Sequence, residues 1–100
     1  MPQTFLAILK PGPGWIEGKP VTEQSLQAHG KYLLSIYKAG SLRFAGPFGD
    51  NAGGALVLEV ADEGEAQSII TQDPAIVDQI FVYEMHPWNL VPWESYIKAS

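Results

Sequence analysis

SLRFAGPFGDNAGGALVLEV, residues 41–60, is the stretch on which the fold turns. Within Ser41–Phe48, Leu42, Phe44 and Gly46 alternate with Arg43, Ala45 and Pro47, which is a strand pattern. Pro47 cannot donate a ladder hydrogen bond, so it belongs at the strand's end or on an edge. Gly49-Asp50-Asn51-Ala52-Gly53-Gly54 is dense in turn residues, and Ala55–Val60 is apolar until Glu59. Two strands joined this way predict a hairpin with a loop longer than two residues. The segments on either side then set the topology.

Upstream, Gln3–Leu9 is short and apolar and is stopped at Pro11, which predicts a buried strand. Pro11-Gly12-Pro13-Gly14-Trp15 opens a loop running to about Val21, shaped by two prolines that fix φ. Thr22 is the expected N-cap of a helix over Glu23–Ala39, with Glu23 favoured in its first turn. Leu26, His29, Leu33 and Ile36/Tyr37 recur at three- and four-residue spacing, and Gly40 suits the position just past the helix end. Downstream, Asp62-Glu63-Gly64-Glu65 is a variant of the capping box, and Ala66, Ile69 and Ile70 give a second helix its apolar face. Asp73-Pro74 ends that helix, because the residue before proline disfavours the helical region. Ala75–Gln79 allows a short extra turn. Ile80–Met85 is β-branched and aromatic, a fourth strand extending as far as His86, with Pro87 as its limit.

The order β-α-β-β-α-β predicts an α+β fold: an antiparallel four-stranded sheet with both helices on one face, the ferredoxin-like plait. Both sheet faces look apolar. Phe5, Ala7 and Leu9 point one way and Leu6 and Ile8 the other, while Leu56, Leu58 and Val60 oppose Val57. A helix-free apolar face needs a cover, so two sheets are expected to pack against each other in a homodimer. The tail Trp88–Ser100 holds two of the three tryptophans and is expected to pack on the body or on a partner.

Composition agrees with a small globular unit. One hundred residues predict one domain, with a core over about 3–88 and a tail over 89–100. Hydrophobic residues make up 46% and charged residues 17%, outside the range of disordered chains. A domain this small buries only about 60–65% of its unfolded surface. With no cysteine to staple it, oligomerisation is the remaining common source of stability. The net charge of −5 argues against nucleic-acid partners, which need a basic footprint. The apolar run Phe5–Leu9 is too short for a signal peptide or a spanning helix, so no membrane partner and a cytoplasmic location are expected.

Few residues carry chemistry. His29 sits on the apolar stripe of the first helix. It reads either as a half-buried histidine whose ring is satisfied by a hydrogen bond, or as a general base, since histidine exchanges protons near neutral pH. Asp73 reads either as a turn residue binding nearby backbone N–H groups, or as the carboxylate that orients an imidazole. The fold puts both helices on one face, so the two can meet. Gly46-Pro47-Phe48-Gly49 and Gly53-Gly54 let a backbone approach a ligand and its free amides bind an anion, although hairpin mechanics explain them as well. Tyr32, Tyr37, Tyr83 and Trp15 read either as the lining of an apolar pocket or as core or interface aromatics. Arg43 is the only arginine and can hold a carboxylate bidentately, or simply lie on the surface. His29 and His86 lie on separate elements without ligand spacing, so neither a metal nor another cofactor is expected.

Taken together, Ala28-His29-Gly30-Lys31-Tyr32-Leu33, Ala45-Gly46-Pro47-Phe48 with Gly53-Gly54, Asp73-Pro74 and Pro87-Trp88 resemble the YciI-like (YCII-related) proteins. The resemblance runs from about Gln3 to Trp88. It implies a dimeric α+β barrel, in which two four-stranded sheets close on each other. It also implies an active site around a helix-1 histidine and an aspartate before proline, here His29 and Asp73. Family members often place an arginine or other polar residues before the histidine, whereas this chain has Ser25-Leu26-Gln27-Ala28, and its Pro11–Pro20 loop is its own. A related protein eliminates chloride from a chlorinated muconolactone, and similar barrels house lactone isomerases and cofactor-free monooxygenases. The expected function is proton transfer by His29 and Asp73 on a small, muconolactone-like molecule, with Gly46, Pro47, Phe48 and Tyr32 shaping its site. The alternative is a non-catalytic metabolite-binding or assembly module.

Overall fold

The computed structural model describes residues 2–99, so Met1 and the last residue of the expected tail, Ser100, lie outside the described residues. Four strands form one sheet: β1 (Gln3–Pro11), β2 (Leu42–Pro47), β3 (Gly54–Val60) and β4 (Phe81–Pro87). Their order is β2-β3-β1-β4, with every neighbouring pair antiparallel. With α1 (Gln27–Lys38) and α2 (Glu63–Thr71) this is the ferredoxin-like plait. A four-residue helix, α3 (Pro74–Val77), precedes β4, and α4 (Trp93–Ala99) follows it.

One face of the sheet carries the core. Phe5, Ala7 and Leu9 of β1 and Leu56, Leu58 and Val60 of β3 are buried against Ala66 and Ile70 of α2 and Ala75 of α3. Strand β1 runs two residues past its expected end. The proline at that end is tolerated because pairing with β3 stops at Leu9–Gly54, and only β4 continues, to Pro11–Phe81. The acidic cap of α2 forms as expected: Asp62 accepts from the Glu65 N–H at 2.9 Å, and Glu65 reaches back to the Ala61 N–H at 3.0 Å. Gly40 closes α1 with φ of 90°, which brings the Ser41 N–H to the Ile36 carbonyl.

Three sequence expectations are corrected. Helix α1 begins at Gln27, and Thr22 lies in a single 3-10 turn, Val21–Glu23. The cause is Gln24. Its buried amide accepts from the Ile16 N–H and donates to the Ile16 and Lys19 carbonyls, so this stretch belongs to the Pro11–Pro20 loop. Second, Leu42 and Phe44 do not share a face. A bulge at Arg43 sets Leu42 opposite Leu58 but Phe44 opposite Val57, which turns Phe44 outward at 67% exposure. Third, Tyr37 lies off the packed stripe of α1 and is exposed.

The opposite sheet face carries no helix. Leu6 and Ile8 sit at its centre beside Val57 and Ala55, with Phe44 and Val82 exposed alongside. Charged pairs fringe it: Arg43–Glu59 at 2.8 Å, and Glu84 between Lys10 (2.6 Å) and His86 (2.7 Å). Hydrogen bonds from Lys10 and then His86, reinforced by the Lys10 charge, hold the Glu84 carboxyl down to about 2. Because the folded value is lowered, the stabilisation from this cluster is present above the ordinary carboxylate range and lost as pH falls toward 2. An NMR titration of the Glu84 carboxyl is expected to show a midpoint near 2 in the native chain and a higher one in Lys10→Met.

The tail leaves the body. Trp93 is 70% and Tyr96 62% exposed, and their rings lie 5.7 Å apart within α4 itself. The Cα radius of gyration is 15.0 Å, against about 13 Å for a compact chain of this length. The expectation that the tail packs on its own body is not met along α4, where Trp93, Tyr96 and Ile97 are exposed.

Candidate functional site

Helix α1 contributes no fully buried residue. Leu26, Leu33 and Ile36 only lean on the core, and the space left between α1 and the β2 side of the sheet is a cleft of about 710 Å³. Its floor includes Leu9, Leu42, Leu56 and Phe81, and Gly46, Pro47 and Gly54 form its hairpin wall. The lining is mainly apolar, and His29 stands in it.

His29 Nδ1 lies 2.8 Å from both oxygens of the Asp73 carboxylate. Asp73 is wholly buried and His29 nearly so. A carboxylate only accepts, so Nδ1 carries the hydrogen and Nε2 of the neutral ring carries a lone pair. Nε2 has no protein partner among the described residues, and no buried side-chain polar atom there lacks a hydrogen bond. That nitrogen therefore opens onto the cleft. The ring is also held from the side, edge to face with Phe81 at 5.6 Å, and Phe81 in turn packs on Trp15 of the Pro11–Pro20 loop. The loop is fixed there by Gly12 and Gly14, whose N–H groups donate to the Ile80 and Gln79 carbonyls.

Asp73 owes its place to Pro74. Proline at the first position of α3 keeps Asp73 extended (φ −63°, ψ 124°) and makes it the N-cap, accepting the Ala75 N–H at 2.9 Å. The two sequence readings of this residue coexist: one carboxylate caps a helix and holds the imidazole. Among the described residues, no group of three His, Cys, Asp or Glu side chains is placed to hold a metal ion.

The other expected site residues divide. Gly46 and Pro47 line the cleft, but Phe48 is not part of its wall. Tyr32 is also absent from the wall, because its hydroxyl donates to the Ile69 carbonyl at 2.6 Å and ties α1 to α2. Burial, followed by the nearby Asp73 charge, raises the Tyr32 pKa above the ordinary phenol value. The sign follows: its stabilisation is complete below about pH 10 and is lost as pH rises through the raised folded value. Tyr32→Phe is expected to lower stability by about 1 kcal/mol at neutral pH and to remove this alkaline component, as read by urea unfolding at pH 7 and above pH 10. Among the cleft residues that sequence reasoning missed, Gly30 left a signal, as a glycine inside a helix stripe beside the candidate base. A Cβ there meets nothing within 4 Å.

A ferredoxin-like plait with a histidine–carboxylate pair at the foot of an apolar cleft is the class that fold and site define. The YCII-related domain family matches residues 4–89, and the chain belongs to that family. No curated protein matches it. No helix among the described residues is long and apolar enough to cross a membrane.

Proposed function

We propose that this chain is an enzyme that moves a proton on a small organic molecule seated in the α1–β2 cleft. His29 Nε2 takes the proton from a carbon next to a carbonyl and returns it elsewhere on the molecule, or keeps it as a leaving group departs. The outcome is isomerisation or elimination. Asp73 holds the tautomer that leaves Nε2 basic, and its charge offsets the imidazolium that forms. The observation that carries this reading is the 2.8 Å contact of Nδ1 with a wholly buried carboxylate while Nε2 opens onto an apolar cleft. A satisfied structural histidine does not require a free second nitrogen facing a cavity of ligand size. The apolar floor suits a cyclic or otherwise hydrophobic body, and the muconolactone-like compounds implied by family resemblance have that character.

The same reading includes a homodimer with the helix-free sheet faces packed together as an α+β barrel. Leu6, Ile8 and Val57 at the centre of that face, with charges kept to its fringe, support it. The functional test is a panel of lactones and unsaturated or halogenated carboxylic acids, incubated with the protein in D2O and followed by proton NMR. Deuterium exchange or conversion is expected for at least one member of the panel. A compound that shifts the His29 ring resonances yet never exchanges or converts would favour the binding-module alternative.

A further inference from the structure

Helix α1 turns one side toward the cleft. Leu26, Gly30, Leu33, Leu34 and Tyr37 all line the cleft, and they recur at the three- and four-residue spacing of a single helix side. Four of these five positions carry a large apolar side chain. Gly30 lies one turn after Leu26 and one turn before Leu34, and it is bare. The result is a notch in an otherwise continuous apolar wall, at the residue next to His29.

Nothing in the fold asks for that glycine. Gly18, Gly40 and Gly53 have the positive φ that favours glycine, and Gly30 is not among them. A Cβ at Gly12, Gly14 or Gly54 would lie within 2.8 Å of a backbone oxygen, whereas a Cβ at Gly30 meets nothing within 4 Å. The Gly30 N–H donates to the Leu26 carbonyl at 3.0 Å, an ordinary helical bond that alanine makes equally well. Glycine inside a helix is clearly less favourable than alanine, because it has more backbone freedom to lose. Helix α1 is poorly placed to give up that stability, since it buries no residue fully. A bare position that the fold does not need, aimed into a cavity of ligand size, points to what enters the cavity.

We infer that Gly30 sets the shape of the substrate: it admits a compact ring beside His29 Nε2, and the ring's apolar body takes the place of the missing side chain. The inference rests on the reading of the cleft as a site of proton transfer. Adjacent Cα atoms are about 3.8 Å apart, so a body seated over Gly30 lies next to the base and not at the far end of the cleft. The carbon that gives up its proton therefore belongs to the ring or is bonded directly to it. A long open chain satisfies the apolar lining but leaves the notch unfilled, and the contacts there unmade. A side chain at position 30 points the way Leu26 and Leu34 do, into the space the ring needs.

Two ketones of equal carbon number, cyclohexanone and methyl butyl ketone, test this when titrated into the full-length chain at neutral pH. The readout is the ring resonances of His29, which have only those of His86 to be told from. In the native chain cyclohexanone is expected to bind about ten-fold more tightly than methyl butyl ketone. Gly30→Ala narrows the notch by one methyl group and is expected to raise the cyclohexanone dissociation constant about ten-fold. Gly30→Leu fills the notch and is expected to abolish the shift. Both variants are expected to unfold at higher urea than the native chain at one fixed protein concentration, since each is a better helix former. Weaker binding in a more stable protein separates a role in substrate shape from a role in the fold. Gly64→Ala replaces the glycine inside α2, outside the cleft wall, and is expected to leave both constants unchanged.

A Gly30 variant that unfolds at lower urea than the native chain shows a glycine kept for the fold and overturns the inference. Equal affinities for the two ketones in the native chain overturn it too, as does native binding of cyclohexanone by Gly30→Leu or a native chain in which neither ketone shifts His29. The proton chemistry is scored separately. If the ring binds as expected but nothing in the lactone and acid panel exchanges or converts, the proton transfer fails while the ring-shaped notch holds. If a panel compound converts, and Gly30→Leu converts it at the native kcat/KM, the notch fails alone.

Discussion

His29→Asn is expected to lower turnover of any substrate found for the cleft by about 10²–10⁴-fold with little loss of stability. Asparagine is the informative replacement. Its side-chain amide nitrogen falls near the position of Nδ1 and can still donate to Asp73, but nothing replaces Nε2. His29→Ala loses the same chemistry, but it also strips the buried carboxylate of its partner and removes the ring packed on Phe81, so its defect mixes two causes. Asp73→Asn tests the other half of the pair. Its amide oxygen still accepts the Ala75 N–H, so the α3 cap survives. Its NH2 then takes the place of Oδ2, 2.8 Å from Nδ1, so a donor faces Nδ1–H beside the one remaining acceptor, and the imidazole relieves that contact by moving its hydrogen to Nε2. The base is lost without being mutated, and a fall of similar size is expected. A 15N spectrum of the ring reads the tautomer directly: Nδ1–H in the native chain and Nε2–H in Asp73→Asn. Full turnover in both asparagine variants would remove His29 and Asp73 from the mechanism and return them to structure alone.

The parts of this site that were legible in the sequence were polar residues in places that apolar patterning reserves for something else. A histidine between Leu26 and Leu33 and an aspartate before a proline both stand out. The β-α-β-β-α-β order then leaves the two helices on one face, where the pair can meet at 2.8 Å. Strand order and the α2 cap were legible for the same reason, because alternation and capping are local signals. What escaped depends on single side chains acting over a distance. The Gln24 amide replaces backbone partners eight residues away and shortens α1, and no periodicity records that. The bulge at Arg43 reverses every side chain after it, so a strand that alternates correctly in sequence still puts Phe44 on the wrong side. Tyr32 has a pocket residue's composition, yet its hydroxyl is taken by a carbonyl on α2. The cleft itself escaped because it depends on how far α1 stands off the sheet. That distance is set by the half-buried contacts of Leu26, Leu33 and Ile36, which look the same in sequence as those of a fully docked helix.

Gly53→Ala is expected to cost about 4 kcal/mol or more, an effect beyond the ordinary range for one methyl group. Gly53 has a φ of 129°, where a side chain is strained, and a Cβ there would lie 1.9 Å from the Leu9 carbonyl oxygen. The obstacle is backbone of the central strand β1, so no rotamer change relieves it, and the hairpin has to lift away. The Gly53 carbonyl accepts the Phe48 N–H at 2.8 Å and closes the turn, so lifting it also opens β2–β3 at the end where Gly46, Pro47 and Gly54 wall the cleft. Loss of stability and loss of ligand binding are therefore expected together. Gly49→Ala in the same turn is the control: its Cβ meets nothing within 4 Å and its φ is not positive, so a change within about 0.5 kcal/mol is expected. Urea midpoints at one fixed protein concentration make the comparison independent of assembly. Equal midpoints for the two variants would mean that the hairpin yields freely at Gly53. In that case the close approach to β1 would not be what positions the cleft wall.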